Sequence, residues 1–364
     1  MPIVKTAAAF VLLAALCAPP AIASEKKSPP PPAKSRVYES YEATALLPDR
    51  RPNPRIVRRM VDRLVCAATG KPDPASAWRS LVKPADRVGI KVAASPGPIG
   101  GTRPAVAEAV AQSLAAAGIP QSNIIVWDRN LDDLLSAGYR KDSPHYRLRW
   151  TDSETGYDKN AILTAPVIGR LIWGDKTFGK KEGTRMVDIL TTGEQLSSTS
   201  HFAKILSKEV TKVVNIPSLC DSFLTGVNGA LANMAISNID NWRRFAGPPD
   251  FGDPYLAEIY ADQTIHGKVV LTILDALTMQ YAGGPLPNPN YTADQLTLYA
   301  SLDPVAIDAT AVTLLDPMRK ASKLPLLEKS TRWLASAETL GLGKHRPEDI
   351  ELLSVATPQP SPRP

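Results

Sequence analysis

The chain has 364 residues but only three cysteines and four histidines. No CxxC occurs and the histidines, His145, His201, His266 and His345, have no paired spacing. Those gaps leave zinc unsupported and imply that no iron–sulfur cluster is carried. Aromatic residues make up 6% of the chain and do not interleave with the basic ones, so nucleic acid is not an expected partner. The apolar run Ala7 to Ala18 is too short to span a bilayer. A G-x-S-x-G nucleophile elbow is missing. The stretch Gly169 to Thr177 comes near a phosphate-binding loop, but Asp175 stands where the lysine belongs and the interior RLIW is apolar.

What is present begins with an export signature. Lys5 supplies positive charge, Ala7 to Ala18 an apolar core, and Ala21-Ile22-Ala23 a small-x-small cleavage site. Residues 1–23 therefore read as a signal peptide, which places the mature chain in the periplasm or outside the cell. With no twin arginine, the general secretory route is expected. Cys17 leaves lipid anchoring as the rival, although Leu16 sits where that signal wants a small residue. Residues 24–50, with Pro29 to Pro32 in a row, read as a Pro/Lys-rich linker, and 357–364 as a disordered tail.

The remaining residues, 51–356, suffice for one large core. The net charge of +6 is modest for this length. Arg55, Arg58, Arg59 and Arg63 fall at helical spacing opposite Ile56, Met60 and Leu64, which predicts a surface helix with a solvated basic face. Peripheral contact with an anionic cell envelope is the alternative for that face. Cys66 and Cys220 survive signal removal, either as a disulfide or as two separate thiols.

Strands and helices alternate along the domain. DRVGIKV, ending at Val92, predicts a buried strand; a Gly/Pro loop follows, then a helix starting at Pro104 and ended by Gly118. NIIVWD, ending at Asp128, predicts the next strand, giving a parallel crossover. Residues 141–199 are irregular and read as an inserted lobe, with VIGRLIWG and RMVDILTT as its strands. HFAKILSKEV predicts a helix, KVVNIPSL a strand, GVNGALANMAISNI a helix and KVVLTILDAL the start of a strand ending at Asp275. LTLYASLDP runs as a strand into the helix VAIDATAVTLL, and a helix near Thr331 to Leu340 and the strand DIELLSVA finish the domain. The sum predicts an α/β fold of three layers, a mostly parallel sheet with helices on both faces.

Ligands of such sheets bind beyond the carboxyl ends of the strands. Lys91, Thr102, Arg103, Asp128, Ser222, Thr225, Asn228, Asn233, Asp275, Asp303 and Asp308 cluster at those places. Each also has a structural reading. Thr102 and Asp303 suit helix caps, and Asn228 and Asn233 can satisfy backbone groups. Asp308 lies in an apolar helix, where a carboxylate needs a partner such as Lys91 or Arg103 unless it faces the loops. A hard-cation site built from Asp128, Asp275 and Asp308 stays open.

These motifs, over Asp86 to Leu315, resemble the bacterial and archaeal domain of unknown function 362 family. The resemblance rests on Ile90-Lys91, Thr102-Arg103-Pro104, Asp128, Ile216-Pro217, Thr225-Gly226-Val227, Asn233, Asp275, Gly283-Gly284-Pro285 and Asp303-Pro304-Val305-Ala306-Ile307-Asp308. Some relatives add cluster-binding segments, which this chain lacks. Where the family usually has a lysine and, two residues on, a histidine, this chain has Cys220 and Ser222; Ala232 replaces a further lysine. The resemblance thus implies a weakened cationic pocket without histidine acid–base chemistry. Gly100 to Ile119 is also similar to a segment of the nickel-pincer lactate racemases, which hints at shared architecture alone.

Two functions are compatible with these residues. One is an enzyme for a small anionic metabolite, with Lys91 and Arg103 holding its charge and Asp128 or Asp308 as the acid–base group. The other is a non-catalytic binding protein for a small cell-envelope ligand.

Overall fold

A computed structural model describes residues 34–151, 155–163 and 200–355. The two strands expected within 141–199 lie outside the described residues. β2 (Val88–Val92) and β3 (Ile124–Asp128) are fully buried runs with parallel pairing, as their apolar composition requires. Successive side chains go to opposite faces. Ile124 and Val126 join one hydrophobic core, while Ile125 and Trp127 join the other. Gly89 on β2 faces Trp127, and a Cβ there would sit 2.5 Å from the indole. Replacing Gly89 by alanine is therefore expected to cost about 1–3 kcal/mol through overpacking, read as a lowered Tm.

The first core is covered by α1 (Pro54–Thr69), α2 (Pro74–Leu81) and α3 (Pro104–Ala116). Met60 and Leu64 of α1 are buried as expected. The basic face is tied into the protein: Arg58 pairs with Asp62, and Arg59 and Arg63 with Glu42. Beyond β3 lie α4 (Leu131–Ser136) and the edge strand β4 (Arg147–Trp150).

β5 (Tyr157–Ile162) and β6 (His201–Ala203) form a separate antiparallel pair. The helix expected over HFAKILSKEV is thus a short strand followed by a π turn, Ile205–Glu209. β7 (Lys212–Ile216) returns to the sheet, and β8 (Ser218–Ser222) and β9 (Gly226–Val227) follow it. The other core is covered by α5 (Ala230–Met234), α6 (Tyr255–Ala261), α7 (Pro304–Ala321) and α8 (Trp333–Thr339). These helices complete three layers.

β10 (Val269–Gln280) runs five residues past Asp275, so that aspartate sits within a strand instead of ending one. β11 (Thr292–Ser301) and β12 (Ile350–Ser354) complete the described sheet. With β1 (Ser35–Tyr41), its order is β12-β1-β11-β10-β7-β2-β3-β4, parallel except where β11 meets β1 and β10 and where β8 meets β9.

The second strand in that order, β1, falls inside the stretch that composition assigns to a linker. It lies between β11 and β12, with Tyr38 opposite both Ala300 and Leu353. Its side chains are mostly polar, and only Val37 and Ser40 are buried. Cys66 and Cys220 are free thiols, and Cys220 is the buried one.

Candidate functional site

The chain builds β2, β3 and β4 outward in one direction and then returns to place β7 on the other side of β2. That reversal opens a crevice at the carboxyl ends of β2 and β7, where loops from either side diverge.

Directly beneath it, Lys91 is wholly buried. Its Nζ donates to Asp128 Oδ1 at 2.7 Å, Asn233 Oδ1 at 2.8 Å and the Val92 carbonyl at 2.7 Å. An ammonium has three hydrogens, so none is left for a ligand. Asn233 donates in turn to Asn215 Oδ1, and Asn215 to the Ala230 carbonyl. Asp128 also accepts from the Arg129 and Ala94 backbone N–H groups, each at 2.7 Å. The network ties β2, β3, β7 and α5 together. Burial pushes the Lys91 ammonium below its usual range, against the pull of Asp128. Its three hydrogen bonds make Lys91 a strut of the fold.

Thr102, Arg103 and Asp275 form a second buried group. Thr102 Oγ1 donates to the Ile216 carbonyl and accepts from Ala93 N, so it does not cap α3. Asp275 takes the Arg103 and Leu277 N–H groups, while the Arg103 guanidinium reaches Thr278 and the Ile99 carbonyl. Burial raises the Asp275 carboxyl above its usual value, with Arg103 opposing.

Asp303 caps α7 by accepting from Val305 N and Ala306 N, and it also takes Ser35 Oγ and Lys344 N. Asp308 meets no cation. Its two oxygens accept from Ala230 N and Leu231 N at the start of α5. Gly229 is glycine for this reason, since a Cβ there would lie 2.1 Å from Asp308 Oδ1. Asp128, Asp275 and Asp308 therefore do not converge on a cation, and no cluster of three metal-ligating side chains occurs among the described residues.

Asp128, Asn233, Ser222, Thr225 and Asn228 do come together, around a cleft of about 190 Å³. Ser222 Oγ accepts from Leu224 N and Thr225 N, which shapes the loop, and Thr225 Oγ1 donates to the Val227 carbonyl. Asn228 Nδ2 is buried with no partner. The cation of the cleft is Arg129. Its Nη2 donates to the Ile236 carbonyl, and its guanidinium lies 4.8 Å from the centre of the Trp242 ring. Ile236 and Trp242 line the same cleft. Arg129 Nε is buried and unpartnered. In the sequence, Arg129 directly follows the strand end at Asp128, which was the available signal for it.

The family described as Domain of unknown function (DUF362) has a model that matches residues 88–313, more than half of the chain. The chain belongs to the DUF362 family. No curated protein matches it. Among solved structures, it is similar to a Thermotoga maritima protein determined by the Northeast Structural Genomics Consortium, at 12% identity and a TM-score of 0.32. That match covers 61% of this chain and 50% of the other, so the chain spans about half the length of that protein.

The DUF362 motifs sort into roles. Gly283-Gly284-Pro285 closes one wall: Gly283 has φ +85°, Gly284 N donates to Asp221, and Pro285 faces the cleft. Of the positions where the resemblance implies lysine or histidine, Ser222 and Ala232 line the cleft. Among the described residues that line it, Arg129 alone is cationic.

Proposed function

We propose that the chain binds a small ligand bearing an anionic group in this cleft, as a binding protein and not as a catalyst. The observation that carries this reading is that Arg129 and Asn228 line the cleft while Arg129 Nε and Asn228 Nδ2 have no partner among the described residues. Buried donors without partners cost free energy, and an anionic acceptor removes that cost. At about 190 Å³ the cleft suits a small molecule.

Catalysis is disfavoured by the same geometry. Both Asp128 oxygens are already bonded, and Asp308 lies under α5, outside the cleft lining. We propose export as well, on the strength of the N-terminal signature; no helix among the described residues is long and apolar enough to cross a membrane. Intact mass of the recovered protein is expected to start at Ser24.

Native mass spectrometry tests the site. A small extra mass on the native chain, absent from the denatured chain and from Arg129→Gln, is expected. A bare polypeptide whose Tm does not respond to acetate, propionate or phosphate would sink the reading.

A further inference from the structure

The cleft continues into a second cavity. The two share Arg129, Asn130 and Asp133, and the second adds Asp132, Trp150 and Thr151. Asp133 lies half-buried in the first turn of α4, and the one side-chain hydrogen bond shown for it comes from Asn130 Nδ2, at 2.9 Å. It is close enough to Arg129 to act on its charge, yet the two form no ion pair. Thr151 is only 6% exposed and lines this second cavity, and its Oγ1 has no partner.

The charges decide what the joined space accepts. Lys91 and Asp128 cancel, which leaves Arg129 positive and Asp133 negative among the residues that line both cavities, with Asp132 lining the second. A dianion would meet one cation and two carboxylates. A simple monoanion would satisfy Arg129 and leave Asp133 without a cationic partner. A molecule that carries both charges satisfies Arg129 and Asp133 together, and charge-assisted hydrogen bonds are the strong ones. Ala93, Ala232, Ile236 and Pro285 add apolar wall beside the guanidinium, enough for a short aliphatic side chain.

We infer that the ligand is a zwitterion, a small α-amino acid or close analogue, with its carboxylate on Arg129 and its ammonium toward Asp133 and Thr151. This rests on the anion-binding reading above and adds the cationic half.

Isothermal titration calorimetry of the full chain at neutral pH compares L-valine with isovalerate, which lacks the amine, and with L-valinamide, which lacks the carboxylate; L-alanine and propionate form a smaller pair. L-valine or L-alanine is expected to bind at least tenfold tighter than its amine-free partner, and L-valinamide not to bind. In Asp133→Asn the amino acid and the acid are expected to converge in affinity. If the amine-free acids bind the native chain as tightly as the amino acids, the zwitterion inference falls and the anion reading stands. If neither class binds, both fall. An amino-acid preference that survives Asp133→Asn overturns the inference. The ligand series on the native chain decides the matter even where a variant does not fold.

Discussion

Replacing Lys91 by alanine is expected to lower the unfolding free energy by about 3–5 kcal/mol, measured by urea denaturation, because it leaves a buried carboxylate without its counter-charge. Asp128 would keep its two backbone donors but lose the ammonium at 2.7 Å, and Asn233 Oδ1 would lose its only donor shown. Lys91→Met separates charge from volume. It fills most of the space, so a cost close to that of alanine identifies the lost ion pair as the cause. A methionine variant within about 1 kcal/mol of the native protein would show that the network is dispensable, and Lys91 would then lose its structural role. A group whose task is to hold a ligand would instead change affinity with little change in stability.

The second large effect is in pH. Burial pushes the Asp308 carboxyl from 3.8 up to about 7, against the two N–H groups that favour its charged form. A displacement of that size is worth about 4 kcal/mol. The folded value is raised, so the contribution is fully present below about pH 4 and is lost as pH rises through 7. Asp308→Asn cannot ionise and keeps one acceptor for Ala230 N or Leu231 N, while its amide nitrogen opposes the other. The stability advantage of the native chain over Asp308→Asn is therefore expected to be greatest near pH 4 and to shrink by about 4 kcal/mol by pH 8. A gap that widens over that range, or stays constant, would refute the assignment. Using the difference between the two proteins matters because other groups titrate as well. Asp221 and Asp240 are also raised by burial, whereas Glu338 is held down to about 2 by the neighbouring His345 and Lys344 groups.

Much of the fold could be read along the chain because local and global signals agree there. VGIKV and IIVWD are continuous apolar runs and become the buried parallel strands. The Asp303-Pro304 pair is a helix start by chemistry, and the aspartate does accept the first free N–H groups. Local signals failed where they were weak or where they misled. The polar strand SRVYESY follows a proline run and has few buried positions to betray it. The segment HFAKILSKEV has apolar spacing that suits a helix, but pairing with β5 takes its start.

The site was legible in part. Strand-end logic found Asp128, Ser222, Thr225, Asn228 and Asn233, because loops after parallel strands gather on one side of a sheet. It also gathered Thr102, Arg103 and Asp275, which are taken up at β7 and β10: Thr102 donates to the Ile216 carbonyl, Asp275 accepts the Arg103 N–H, and the Arg103 guanidinium donates to Thr278 Oγ1. That Asp308 needs a partner follows from its surroundings. That the partner is a pair of peptide N–H groups does not, since peptide groups carry no residue signature. Arg129 escaped because its importance comes from Trp242 and Ile236, more than a hundred positions away in sequence.

The position of β1 sets an order of events for a chain being made. Its seven residues come early in the chain, yet their neighbours are β11, about 260 residues later, and β12, about 315 residues later. Until those strands exist, β1 is an open edge with unpaired backbone groups. This margin of the sheet therefore closes only after almost the whole chain has been released, and loop-closure entropy makes that closure slow. One margin of the sheet thus stays open until residues as late as Ser354 are in place, while β2, β3, β4 and β7 pair without it.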